Sequence, residues 1–238
     1  PALQHSEGGE ARWVPGKPNL ALAIDRCTYS ARLMRILDLN NNYSPTGGGV
    51  RTYHEQKMTY YGAQTEAVNA LVEPSDRDEI IDDGNVVRYR VKATALGKSG
   101  YRMIFRAATA RAVIEHFKPD VIEVGSVWVM PRVVRKANRD YGAATVGFYH
   151  TDLPNTHVGT SLHWAPAGLR RRAIAAAYRY VGRVYAPMTA TFGASEYSLK
   201  NLSDNGVKRL FHTPFGTDTT NYRPDCYSDE WRREQGGD

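Results

Sequence analysis

The segment Met34-Arg-Ile-Leu-Asp-Leu39 runs through residues 40–46 into Gly47-Gly48-Gly49-Val50. It reads as a short strand, a glycine-rich turn and the first turn of a helix. Glycine has no Cβ, so its backbone N–H groups can approach a ligand closely. A helix beginning there adds unpaired N–H donors and the positive end of its dipole. Gly47, Gly48 and Gly49 are therefore candidates to hold a phosphate or a sugar hydroxyl. The plain alternative is a glycine loop with no ligand.

Working outward, elements alternate. Residues 50–61 read as a helix closed by Gly62. Residues 66–72 read as a strand, 74–84 as an acidic surface loop and 86–91 as a strand. Residues 101–117 read as a helix ended by Lys118-Pro119-Asp120, since proline disfavours helix in the residue before it. Residues 121–124 form a short apolar strand. Met130, Val133, Val134 and Ala137 recur at i, i+3, i+4 and i+7, which marks an amphipathic helix; Gly142 is expected to cap it. A strand over 144–149, a long helix through Ile174 and Tyr185, and a strand over 189–192 follow. A helix N-capped by Ser195 and ending at Gly206 leads to a last strand over 207–212. This alternation predicts an α/β fold: a Rossmann-like parallel sheet with helices on both faces. Ligands in such sheets bind at the carboxyl ends of strands, near a topological switch point. The glycines follow the first strand, at that edge.

The chain has 238 residues, 42% of them hydrophobic, enough for one large or two small domains. No apolar run is long enough to span a bilayer. The segment 1–17 is polar and lacks a secretory signal's apolar stretch. Cys27 and Cys226 make no disulfide framework and have no metal-like neighbours, so a reducing cytoplasm is the expected compartment. A net charge of +6 favours anionic partners. No zinc-finger spacing or aromatic RNA-binding pattern is present, so nucleic acid is not expected. Residues 1–33, broken by Pro15, Gly16 and Pro18, read as an extension to a domain over 34–224.

Chemistry concentrates in three further places. Gly147-Phe148-Tyr149-His150-Thr151-Asp152-Leu153-Pro154 carries a histidine just beyond a strand end. His150 there can donate a hydrogen bond to a sugar hydroxyl or a developing oxyanion, or act as an acid or base near neutral pH. It can equally be a structural histidine bonded to a carbonyl. Asp152 either orients the loop or caps the turn before Pro154. In Phe192-Gly193-Ala194-Ser195-Glu196, Ser195 caps a helix and can also face the cleft. Thr213-Pro214-Phe215-Gly216-Thr217-Asp218, followed by Tyr222-Arg223-Pro224, reads as the exit from a domain. His150 and Asp152 alone do not make a metal site.

The ordered set Gly47-Gly48-Gly49-Val50, His150-Thr151-Asp152-Leu153-Pro154, Gly193-Ala194-Ser195-Glu196, Gly216-Thr217-Asp218 and Tyr222-Arg223-Pro224 resembles the amino-terminal half of family 4 glycosyltransferases, from about Met34 to Pro224. The nearest flavour is the mannosyl- or glucosyltransferase group acting on lipids and polysaccharides. The resemblance implies a GT-B architecture, two Rossmann-like domains across a cleft, the first binding the acceptor and the second most of the nucleotide-sugar. It places Gly48 and Gly49 against the donor's diphosphate or sugar. It places His150 on the transferred sugar and Asp218 where the chain crosses to the second domain. It further implies retention of anomeric configuration, no cofactor beyond the nucleotide-sugar substrate and no essential metal. By the same resemblance, residues 225–238 are only the approach to the second domain. That domain is expected to be missing and this chain alone to be inactive.

Arg172, Arg179 and Arg183 follow at i, i+7 and i+11 along the long helix. The stripe is either a solvated helix face or a contact for an anionic membrane surface, which would make the protein peripheral. A reading of another class is a non-catalytic module that holds a phosphosugar or lipid headgroup. A nicotinamide enzyme is disfavoured, because the glycine run lacks GxGxxG spacing.

Overall fold

The structure, a computed structural model, describes residues 33–41, 43–44, 48–63, 66–97, 100–220 and 222–236. Gly47, Cys27 and nearly all of the 1–33 extension lie outside the described residues.

The sheet is built on strand β1 (Met34–Leu39). On one side of it lie β2 (Ala67–Ser75), β4 (Val86–Lys92) and the edge strand β3 (Glu79–Asp82). On the other lie β7 (Val121–Val124), β8 (Ala144–Tyr149), β9 (Ala190–Gly193) and β10 (Leu210–His212). Every pairing in this eight-stranded sheet is parallel except β3 with β4. The strand order reverses direction at β1, so the crevice between β1 and β7 is the topological switch point.

Register decides which side chains face which helix. Asp38 of β1 pairs with Glu123 of β7 and Leu71 of β2, and all three face helix α1 (Gly49–Gly62). The opposite face packs against α2 (Ala107–Phe117), α3 (Met130–Ala137), α4 (Ala167–Tyr185) and α5 (Glu196–Asp204). Right-handed crossovers require this division: the connection to β2 moves one way along the sheet, and those to β7, β8, β9 and β10 move the other way. Helices on both faces of a mostly parallel sheet are thus present, as the alternation of elements requires. Two close approaches demand glycine. A Cβ on Gly147 would lie 2.4 Å from the Tyr185 ring, and one on Gly182 would lie 2.1 Å from the Asn205 carbonyl oxygen.

Local expectations fare well where they rest on short-range chemistry. Ser195 accepts from the Ser198 N–H at 3.2 Å as the cap of α5. Helix α3 buries Met130, Val133, Val134 and Ala137. Lys118 adopts a left-handed φ of 54° before Pro119 and ends α2. Gly142, at φ 79°, closes the turn after α3 rather than the helix itself, which ends at Ala137 with Asn138 as its cap. Gly62 stays within α1 and shows no left-handed cap.

Three expectations fail. The acidic stretch 74–84 is not a loop. It continues β2 and forms β3, whose Glu79 meets Arg90 of β4 at 2.8 Å. It forms a tight antiparallel hairpin with β4, from Glu79 against Arg90 to Asp82 against Val87, and its charged side chains lie on the sheet edge. The helix expected from residue 101 begins at Ala107. Asn41 binds Ile104 through both its N–H (2.9 Å) and its C=O (3.3 Å), and holds it extended. The residues before it pair instead as a two-stranded ribbon of β5 (Thr94–Ala95) and β6 (Arg102–Met103). The last strand is confined to 210–212.

Candidate functional site

Three strands, β1, β7 and β8, bring their carboxyl ends to the switch point, and each is followed by a polar or small residue. Asn40 follows β1, Gly125 and Ser126 follow β7, and His150 follows β8. Asn40 and Ser126 are fully buried. A Cβ on Gly125 would stand 2.5 Å from Asn40 Nδ2 and 3.2 Å from His150 Nε2, so two side chains from neighbouring strands converge where the glycine leaves room. Parallel pairing puts Gly48 and Gly49, beyond β1, on the same sheet edge as His150.

His150 sits in an aromatic box. Phe148 lies 4.0 Å away between ring centroids, Tyr53 of α1 meets it edge-on at 5.1 Å, and Phe215 stacks at 6.0 Å with planes 13° apart. Its Nε2 is buried without a hydrogen-bond partner among the described residues, as is Ser126 Oγ. Native proteins rarely leave such atoms unpaired, which marks the crevice as a place for a polar ligand or water. Burial, then the charges of His54 and Lys57, push the His150 imidazole down to about 3. The ring is therefore neutral at physiological pH. It suits hydrogen bonding to a hydroxyl or a developing negative charge, and not proton shuttling near neutrality.

Behind this box lies a polar network in what reads as apolar strand. Lys57 of α1 donates to Asp38 and to Glu123, each at 2.7 Å. The Tyr53 hydroxyl donates to Glu123 at 3.0 Å, and Asn69 Nδ2 to Asp38 at 3.1 Å. Asn40 Nδ2 lies 3.1 Å from His54 Nε2, and His54 Nδ1 lies 3.5 Å from Asp38 Oδ2. Nδ1 of His54 is buried with no hydrogen-bond partner among the described residues. Burial raises the Asp38 carboxyl, but Lys57 and His54 outweigh it and hold it well below the usual carboxylate range. Burial also works against the Lys57 ammonium, yet Asp38 and Glu123 keep it well above its usual value. The network fixes α1, and with it Tyr53 against His150.

The other sequence candidates divide. Gly48 and Gly49 are exposed at the start of α1, which has no side-chain cap and no acidic residue in its first turn. Neither adopts a positive φ, and among the described residues no atom lies within 4 Å of a Cβ built on either. The missing side chains keep that helix end open rather than permit an unusual dihedral. Asp152 is engaged elsewhere: it accepts from Tyr178 at 3.0 Å and Asn155 at 2.6 Å, tying the π-helical turn Pro154–Gly159 to α4. The Ser195 hydroxyl is taken up in capping. Asp218 accepts from the Thr220 N–H at 2.9 Å in a tight turn. Of the sequence candidates, His150 lines the crevice, and Gly48 and Gly49 begin α1 at the same sheet edge. Asn40, His54, Gly125 and Ser126 were not singled out from sequence, although Asn40 and the Gly125-Ser126 pair show the small and polar residues expected at strand ends. No group of three or more potential metal ligands occurs among the described residues.

A sequence profile described as Glycosyltransferase Family 4 matches residues 48–221. Over 121 residues the chain is 29% identical to a GDP-mannose-dependent alpha-(1-6)-phosphatidylinositol dimannoside mannosyltransferase of Mycobacterium tuberculosis, covering 50% of this chain and 31% of that protein. Over 113 residues it is 24% identical to a GDP-mannose-dependent alpha-mannosyltransferase of Corynebacterium glutamicum, covering 48% of this chain and 25% of that protein. The fold is similar to sucrose-phosphate synthase from Thermosynechococcus elongatus, with a TM-score of 0.59 at 13% identity over 86% of this chain and 53% of that one; this likeness is one of fold. The chain thus spans under a third of either mannosyltransferase it matches. With the profile matching most of its length and the sheet built to the same plan, the chain belongs to glycosyltransferase family 4 and carries the Rossmann-like amino-terminal domain of that family.

Proposed function

We propose that residues 34–224 form the acceptor-side domain of a retaining transferase. It moves a sugar from a nucleotide-sugar to a lipid, sugar or polysaccharide hydroxyl. The observation that carries this reading is the buried, unpartnered Nε2 of a neutral His150 at the switch-point crevice. A neutral imidazole there hydrogen-bonds a hydroxyl of the transferred sugar, and stabilises the charge that develops as the glycosidic bond to the diphosphate lengthens. The open amino end of α1, with Gly48 and Gly49, lies along the same edge and offers N–H donors to the diphosphate. Gly47 completes the glycine run in sequence. In the front-face mechanism of retaining transferases the donor phosphate assists the incoming hydroxyl, so no protein base is needed. The depressed His150 pKa accords with that. Asp152, Ser195 and Asp218 act here as positioning residues of the loops around the crevice.

The names of the mannosyltransferase relatives make GDP-mannose the first donor to test. In a transfer assay on the native gene product carrying this sequence, His150→Ala lowers turnover about a hundredfold, the scale of losing one preorganised donor, while leaving the melting temperature within a few degrees. Unchanged turnover removes the histidine from the mechanism. Saturable phosphosugar binding with no transfer from any nucleotide-sugar favours the non-catalytic module instead.

A further inference from the structure

On the sheet face opposite the crevice, α3 and α4 enclose a cavity of about 360 Å³. Sidedness follows from register. Val124 pairs with Gly147, which faces Tyr185 of α4, whereas the neighbouring Glu123 faces α1. The sheet therefore separates this cavity from His150. Its floor is apolar and includes Val124, Val134 and Met188, all buried. Its rim is cationic. Arg132, Arg135 and Arg139 recur at i, i+3 and i+7 along α3 and its exit, and Arg183 comes across from α4. No carboxylate lines it, and none of the four guanidinium groups has a carboxylate partner among the described residues. Asp140, beside Arg139 in the chain, is already paired with Arg111 at 2.9 Å. Arg132 lies over the ring of Tyr180 at 5.5 Å, and the Tyr180 hydroxyl is anchored to the Trp128 carbonyl at 2.7 Å.

Four like charges around one hollow repel one another, and the fold does not need them, since α3 is held by its buried apolar stripe. A guanidinium fork matches phosphate oxygens in a bidentate way that a lysine does not. The volume falls in the range of small-molecule sites. We propose that this cavity is a second binding site, for a phosphate group carried on an apolar body, with the arginines on the phosphate and the valine and methionine floor under the remainder. It is independent of the transferase reading, because none of its residues belongs to the crevice.

The test is calorimetric titration of the 238-residue chain with pyrophosphate, which is charge alone, and with dihexanoylphosphatidic acid, which is phosphate on an apolar body. The wild type is expected to bind the lipid saturably and more tightly than pyrophosphate. Arg135→Gln/Arg139→Gln weakens it at least tenfold. Lys92→Gln/Lys208→Gln, which removes the same charge elsewhere, changes it less than twofold. Pyrophosphate binding as tightly as the lipid, with the same loss in the arginine variant, supports the phosphate site and assigns it to a free phosphorylated compound rather than a headgroup. No binding of either probe overturns the proposal, as does equal weakening in the two variants or unchanged binding in Arg135→Gln/Arg139→Gln. Circular dichroism of both variants before titration checks that the fold is intact. Should the glutamine pair unfold, Arg183→Gln, which removes a single exposed guanidinium from the opposite wall, is read by the same criteria.

Discussion

His150 concentrates the physical chemistry of the crevice in one ring. Its pKa falls from 6.5 to about 3 because burial and the nearby His54 and Lys57 penalise the imidazolium. In the unfolded chain the ring titrates near its ordinary value. As pH falls from 6.5 toward 3, the unfolded state takes up a proton that the folded state refuses, so stability is full above 6.5 and is lost on acidification. The slope contributed by this one group is at most about 1.4 kcal/mol per pH unit. A series of urea unfolding curves between neutral pH and mild acid should show this slope in the wild type and lose it in His150→Gln. An identical pH dependence in the two proteins would mean that the ring is more hydrated than the structure shows.

At the scale of elements, α1 is the piece that assembles the site. Its hydrophobic stripe is weak: among its residues only His54 and Met58 are fully buried. Two ion clusters tie it to the sheet: Glu55 with Arg88 of β4, and the more buried triad of Lys57 with Asp38 and Glu123, whose side chains are 13%, 0% and 8% exposed. A buried pair contributes little relative to an apolar replacement of the whole set, but removing one partner leaves charge stranded. Lys57→Met strands two carboxylates. It is expected to cost on the order of 3–5 kcal/mol in urea unfolding with an unchanged m-value. Because Tyr53 rides on the same helix, the variant should also loosen the packing around His150. A loss below about 1 kcal/mol would show that the triad does not hold the helix.

At the scale of the whole molecule, α4 carries a run of exposed arginines along one face. Arg172, Arg179 and Arg183 lie exposed along α4, and Trp164 and Leu169, near its start, are 72% and 55% exposed. No helix among the described residues is long and apolar enough to cross a membrane. Basic residues beside an exposed indole and leucine suit the interface of an anionic bilayer, where each charge contributes about 1 kcal/mol. Sedimentation with vesicles of phosphatidylcholine and phosphatidylglycerol should show salt-sensitive binding that Arg172→Glu/Arg179→Glu reduces at least tenfold. Equal sedimentation of the two proteins would assign Arg172 and Arg179 to solvent.

Sequence alone determined the alternation of the main sheet strands with helices, the Ser195 cap and the break at Lys118-Pro119. These depend on periodicity and on local hydrogen bonds. Tertiary structure decided the rest. Asp38, Glu123 and Asn69 stand in strands that read as apolar, and they become a network only because register lines them up beneath Lys57. The need for Gly125 depends on Asn40 and His150 arriving from two other strands. Burial decided that His150 stays neutral, and Asp152 turned away to Tyr178 because α4 passes beside it. Each of these is a contact between residues far apart in the chain, and no local pattern encodes the distance between them.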